Sequence, residues 1–184
     1  MKTKLAVLLL GVVAMAATSA MAGSKAPVVG GQPMYPTKDI IDNAVNSADH
    51  TTLVAAVKAA GLVDTLKSAG PFTVFAPTNE AFAKLPAGTV DNLLKPENKD
   101  TLIKLLTYHV VAGRLSASDL RKQIQAGNGT AELKTVSGGR LWAMMQGKNI
   151  VLKDEKGGMS TVSIPNVFQS NGVIHVVDSV VLPN

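Results

Sequence analysis

Three histidines, His50, His109 and His175, are the side chains of this sequence best suited to acid–base or metal chemistry. Their spacing matches no short metal-ligand pattern. His175 and Asp178 suggest a proton relay or a metal pair, but residues three apart on a strand point to opposite faces and cannot readily meet without a bulge. His109 follows Tyr108 and repeats on one helical face with Leu102, Leu105 and Leu106. An imidazole on such a face is expected to be a hydrogen-bonded core group, because a buried polar ring without a partner is costly. There is no nucleophile elbow, no phosphate-binding glycine loop and no dinucleotide fingerprint. The chain has no cysteine, which closes disulfides, thiolate metal sites and a lipidated N-terminal cysteine. The expectation is a protein with no catalytic residues, no metal and no cofactor. A cryptic hydrolase using His109 or His175 with a carboxylate ranks third among the functional readings.

The elements that must carry these residues divide into helices first and strands later. Ile40, Ile41, Ala44, Val45 and Ala48 fall on one face of a helix, Leu53–Val57 suggests a second ending near Gly61, and Leu62–Ala69 a third stopped by Gly70-Pro71. Phe72–Ala76 reads as a strand that Pro77 ends. Thr78 then caps a helix to about Leu85, with Thr78 and Asn79 both available to free N–H groups at its start. Thr89–Leu94 is a further helical turn, and Ser116 or Ser118 caps a small helix through about Ile124. Beyond Gly127, segments near Ala131–Val136, Arg140–Met145, Asn149–Lys153, Ser160–Ile164 and Gly172–Leu182 read as strands separated by Gly- and Asn-rich turns. Asn128-Gly129-Thr130 matches a glycosylation sequon but reads as such a turn. This order argues an α+β domain without an internal repeat.

Lys2 and Lys4, the apolar run Leu5–Ala17 and Ala20-Met21-Ala22 together read as a secretory signal peptide over residues 1–22. The run holds 13 residues, short of the roughly 20 needed to span a bilayer. Gly23–Pro36 is rich in Gly and Pro and is expected to be a flexible arm, leaving residues 37–184 as the domain. Without Lys2 and Lys4, 16 basic residues stand against 13 acidic ones, scattered rather than striped, so nucleic acid is not an expected partner. No later segment is an expected transmembrane anchor.

Three segments together resemble the fasciclin domain family. Thr73-Val74-Phe75-Ala76-Pro77-Thr78-Asn79-Glu80-Ala81-Phe82 is similar to its first signature, Tyr108-His109 to its Tyr-His pair, and Asn171-Gly172-Val173-Ile174-His175-Val176-Val177-Asp178 to its second signature. The resemblance covers Thr37–Pro183. It implies a wedge-shaped β-sandwich with helices packed along it, and a role in adhesion, matrix attachment or ligand binding rather than catalysis. Thr73, Phe75, Pro77, Thr78, Asn79, Phe82, Asn171, Gly172, His175 and Asp178 are expected to be structural. The resemblance links Tyr108 and His109 to adhesion, and it aligns Ile164-Pro165-Asn166-Val167 with an acidic Glu-Pro-Asp-Ile type of motif implicated in integrin recognition in animal relatives. Pro165, Asn166 and Val167 are therefore candidate binding residues, although both acidic positions are replaced here. The leading expectation is a secreted or periplasmic module that binds an envelope or extracellular protein or a glycan. The alternative is a periplasmic small-ligand-binding or stress-related protein. The sequence sets no oligomeric state.

Overall fold

A computed structural model describes residues 26–184. The expected signal peptide, residues 1–22, lies outside the described residues. Within the expected arm, β1 (Val28–Val29) and β2 (Gln32–Pro33) form an antiparallel hairpin. Gly30 and Gly31 turn it, both with positive φ (57° and 74°), the backbone that tight hairpin turns demand. Val29 and Met34 are buried in the main core, so this stretch is docked rather than free. Asn43 fastens it, accepting from the Tyr35 amide at 3.1 Å and donating to the Tyr35 carbonyl at 2.8 Å.

The helical layer follows. Asp39 caps the short α1 (Ile40–Ala44), and a 3₁₀ turn (Ala48–His50) leads into α2 (Thr51–Ala60) and α3 (Val63–Lys67). Gly61 ends α2 in the left-handed conformation that suits glycine at a helix C-terminus. The expected single helix over Ile40–Ala48 is thus split in two. Strand β3 (Phe72–Pro77) leads to α4 (Asn79–Ala83), α5 (Thr89–Leu93) and α6 (Lys99–Tyr108). A three-residue strand, β4 (Val110–Ala112), precedes α7 (Ala117–Ala126), whose Ser116 and Asp119 form a reciprocal capping box. The remainder is β5 (Thr130–Lys134), β6 (Arg140–Gln146), β7 (Asn149–Lys153), β8 (Met159–Gln169) and β9 (Gly172–Val177).

One mixed sheet takes seven of these strands in the order β4-β3-β9-β8-β7-β6-β5. Only β3 and β9 run parallel. β8 pairs first with β7 and then with β9, with irregularities between Val162 and Val167, and this bends the sheet. A bridge from Val111 to Thr135 brings β4 back towards β5, so the sheet is nearly barrel-like and folds over itself as a sandwich does. The α+β class stands.

β3 and β9 form a wall between two cores, because successive strand residues point to opposite faces. Val74, Ala76, Ile174 and Val176 face the helical layer and join Ile40, Leu53, Val57 and Leu106. Phe75 and Val177 face the other way, into the folded sheet, with Tyr108, Leu120, Leu141 and Leu152. All six residues of β9 are buried, as a strand covered on both faces requires.

Candidate functional site

Both signature segments lie on this wall. In the first, Thr73 is buried; its hydroxyl donates to the Gly113 carbonyl at 2.7 Å and accepts from the Leu115 amide at 2.8 Å, tying β3 to the turn after β4. Pro77 is the last residue of β3, opposite Val177. Thr78 caps α4 as expected, its hydroxyl accepting from the Ala81 amide at 3.2 Å. Asn79 serves a different helix. Its Oδ1 accepts from the Thr52 amide at 3.0 Å and the Thr51 hydroxyl at 3.1 Å, and its Nδ2 donates to the Ala48 carbonyl at 2.8 Å. It therefore satisfies the start of α2 across a long stretch of chain, which no local pattern announces. Phe82 seals the helical-side core.

The second segment begins with Asn171, whose Oδ1 accepts from the Ile40 amide at 3.1 Å while its Nδ2 donates to the Leu66 and Ser68 carbonyls at 2.7 and 3.1 Å. One side chain so holds α1 and α3 to the sheet. Gly172 is expected to serve the turn before the last strand, but its main constraint is close packing. A Cβ there would meet the Phe72 carbonyl oxygen at 2.2 Å and the Ile40 side chain at 3.0 Å. Asp178 lies beyond the end of β9 and accepts from the Thr161 amide at 2.8 Å. It and His175 have separate partners.

The imidazole of His175 is enclosed. Its ring stacks on Phe75 at 5.7 Å between centroids, Nε2 lies 2.8 Å from the Leu115 carbonyl, and Nδ1 accepts from the Asn166 amide at 3.3 Å. The carbonyl accepts only, so Nε2 carries the proton and the ring is neutral. Burial lowers its pKa below the usual histidine value, with the Leu115 carbonyl opposing that fall. Its neighbour Asn166 sits in the irregular part of β8 with φ of 61°, a left-handed backbone rare for any residue but glycine and asparagine. The Asn166 side chain accepts from the Ala117 amide at 2.8 Å, the first free N–H of α7. Pro165 is exposed, Asn166 half-buried and Val167 buried. We expect Asn166→Ala to cost about 1–2 kcal/mol by urea unfolding, through backbone strain and the lost cap. Asn166→Gly, which relieves the strain alone, should cost less; equal losses would mean that the backbone conformation contributes nothing.

Tyr108 and His109 occupy the end of α6, and both are buried. The Tyr108 hydroxyl donates to the Arg140 carbonyl at 2.6 Å and accepts from the Glu155 amide at 3.2 Å, and burial pushes its pKa up to about 12. His109 Nδ1 donates to the Leu105 carbonyl at 2.8 Å, and Nε2 accepts from the Val181 amide at 3.2 Å. Burial pulls its pKa down to about 4, against the Leu105 carbonyl and the charge of Asp154. The pair thus fastens β6 and the C-terminal tail to α6. Asp154, a buried residue that the sequence gives no reason to single out, completes this joint by accepting from the amides of Lys156, Gly158 and Leu182.

His50 stands apart. Its Nδ1 lies 2.9 Å from the Ser47 hydroxyl, and its buried Nε2 has no hydrogen-bond partner. Burial lowers its pKa, while the nearby Ala76 carbonyl and the charge of Asp49 act against that fall. The structure brings none of the three imidazoles onto a carboxylate through a hydrogen bond. Among the described residues no cluster of three or more His, Asp or Glu could hold a metal ion, and no helix is long and apolar enough to cross a membrane. Of the five candidate binding residues, Tyr108, His109 and Val167 are buried, which leaves Pro165 and Asn166 where a partner could touch them.

Comparison with known proteins agrees with this architecture. The model of the fasciclin domain matches residues 48–183. Protein sll1483 of Synechocystis is 51% identical over 145 residues, covering 78% of this chain and 73% of its own length. The cell surface glycolipoprotein MPB83 of Mycobacterium bovis is 42% identical over 122 residues, which is 66% of this chain and 48% of that protein. A solved FAS1 domain pair from the insect cell adhesion molecule fasciclin I superposes with a TM-score of 0.70 at 20% identity, covering 79% of this chain and 51% of that one, and attests the fold. The chain thus spans about half the length of the mycobacterial and insect proteins. A wall of two parallel strands bearing both signatures, a Tyr-His joint at the end of α6 and a family match over most of the domain have one reading: this chain belongs to the fasciclin domain family.

Proposed function

We propose that this protein is an exported binding module, attached by surface contacts to a protein or glycan of the envelope or the cell exterior, and that it is not an enzyme. The observation that carries this reading is the fate of the signature imidazoles. His109 and His175 each commit both ring nitrogens to the protein's own backbone, leaving neither free to move a substrate proton. The names of relatives, a cell surface glycolipoprotein and a cell adhesion molecule, support an external setting. So does the sequence of residues 1–22, and the exported form is expected to begin at Gly23. Intact-mass analysis of the envelope or culture fraction reads this directly, and a chain that still carries Met1 there would contradict it.

The exposed contact centres on Pro165 and Asn166. A metal-dependent receptor needs a carboxylate to complete the ion's coordination. Asn166 presents an amide, and its oxygen is already occupied by the Ala117 N–H. Adhesion through this segment should therefore survive removal of divalent cations. The test is a pull-down from the organism's own envelope fraction, with and without EDTA. Capture unaffected by EDTA is the expected result. Loss restored by Ca²⁺ or Mg²⁺ would contradict it and direct attention to Asp39, Asp100 or Asp119.

A further inference from the structure

Between α1–α3 and the face of β3 and β9 lies a cavity of about 70 Å³. Its walls are almost entirely hydrocarbon, among them Ile40, Leu53, Val57, Phe72, Val74 and Ile174. Hydrocarbon-walled cavities stay dry and admit apolar guests. Polar side chains in this lining are few, and His50 differs from the rest: with the Ala76 carbonyl nearby, its Nε2 is still, among the described residues, the buried side-chain polar atom left without a hydrogen-bond partner. Leaving such an atom unpaired is costly, and native structures do so rarely.

The local fold holds the ring in place. The Gly30 carbonyl accepts from the Ala48 amide at 3.3 Å, and Gly30 approaches so closely that a Cβ there would meet the Ser47 hydroxyl at 2.4 Å. Ser47 in turn holds His50 Nδ1. The docked hairpin thereby fixes a ring that lines the cavity.

We propose that this cavity is a binding site for a small apolar molecule ending in one uncharged hydroxyl or carbonyl, such as propan-1-ol or butanone, with that group hydrogen-bonded to His50 Nε2. The chemistry of the lining selects the class. The apolar walls take the hydrocarbon by burial. The Ser47 hydroxyl can either donate or accept, so His50 can adopt either tautomer and Nε2 can meet a guest hydroxyl or a guest carbonyl. A carboxylate is disfavoured, because the lone ammonium of the lining, Lys58, is exposed at the rim, and burial keeps His50 neutral. This inference is independent of the adhesion reading, since the cavity lies on the helical side of the wall.

The test is a titration of propan-1-ol and of propanoate into the protein purified as its own cells process it, followed by the ¹⁵N resonances of the His50 ring and by Tm. Propan-1-ol should shift His50 Nε2 saturably and raise Tm, with propanoate at least roughly tenfold weaker. His50→Phe keeps the cavity apolar and removes the ring nitrogens, and should weaken propan-1-ol by roughly fivefold, about 1 kcal/mol. If that variant fails to fold, the wild-type titration alone decides. No saturable shift of His50, or propanoate binding as tightly as propan-1-ol, would overturn the proposal.

Discussion

Phe75→Ala should destabilise the domain by about 3–5 kcal/mol, the usual range for truncating a fully buried phenylalanine. Phe75 has no exposed surface, anchors the core inside the folded sheet and stacks on His175. Its loss removes both the apolar contacts and the surface that holds the His175 ring against Leu115 and Asn166. Such a loss is a large share of a typical domain's stability. Urea unfolding of the wild type and the variant, at unchanged m-value, measures it. A cost below about 1 kcal/mol would mean that the wall between the two cores does not depend on this ring.

Stability should also fall as the pH drops from about 6.5 towards 4. Full burial pulls the pKa of His109 down to about 4, against an ordinary value of 6.5. Between those values the unfolded chain binds the proton and the folded one does not, so protons favour unfolding. The stabilisation is fully present above the unfolded value and is lost as the pH falls through the window, flattening below the folded one. For His109 alone the difference is about 3 kcal/mol. His50 and His175 are shifted in the same direction for the same reason and add to it. Urea midpoints at pH 7, 5.5 and 4 test this. A flat profile would contradict it, and a His109→Gln variant should show a shallower slope than the wild type.

Much of the fold was legible because it rests on local chemistry. Thr78 and Ser116 announce their helices by position and side chain, and the largely apolar runs around Phe75 and His175 suit strands with two covered faces. The features that escaped were set by distant partners. β4 has only three residues directly after a helix, too few to show a period, and it exists because β3 offers it an edge. The strand expected over Ser160–Ile164 is instead β8, Met159–Gln169, and the irregular register around Asn166 accommodates Pro165 within it. The last strand was expected to run to Leu182 but ends at Val177. Beyond it, His109 and Asp154 take the Val181 and Leu182 amides that a sheet partner would otherwise hold. Gly30-Gly31 sits in a Gly- and Pro-rich stretch that reads as an arm, and only the burial of Val29 and Met34 fixes it as a hairpin.

The candidate site follows the same division. The sequence sufficed to expect His109 in the core, because its spacing with Leu102, Leu105 and Leu106 needs no knowledge of the tail it binds. Asn79 capping α2, Asn171 holding two helices and the unpaired Nε2 of His50 all depend on contacts across the chain. No spacing rule reports such contacts.

The most direct measurement is ¹⁵N NMR of the imidazoles across pH 4 to 8, because the account holds that the signature histidines are neutral struts rather than acid–base groups. His109 should carry its proton on Nδ1 and His175 on Nε2, with His109 titrating near pH 4 and both His50 and His175 below the ordinary value of 6.5. A signature histidine that titrates at or above 6.5, or exchanges between tautomers at neutral pH, would contradict it and reopen the case for catalysis.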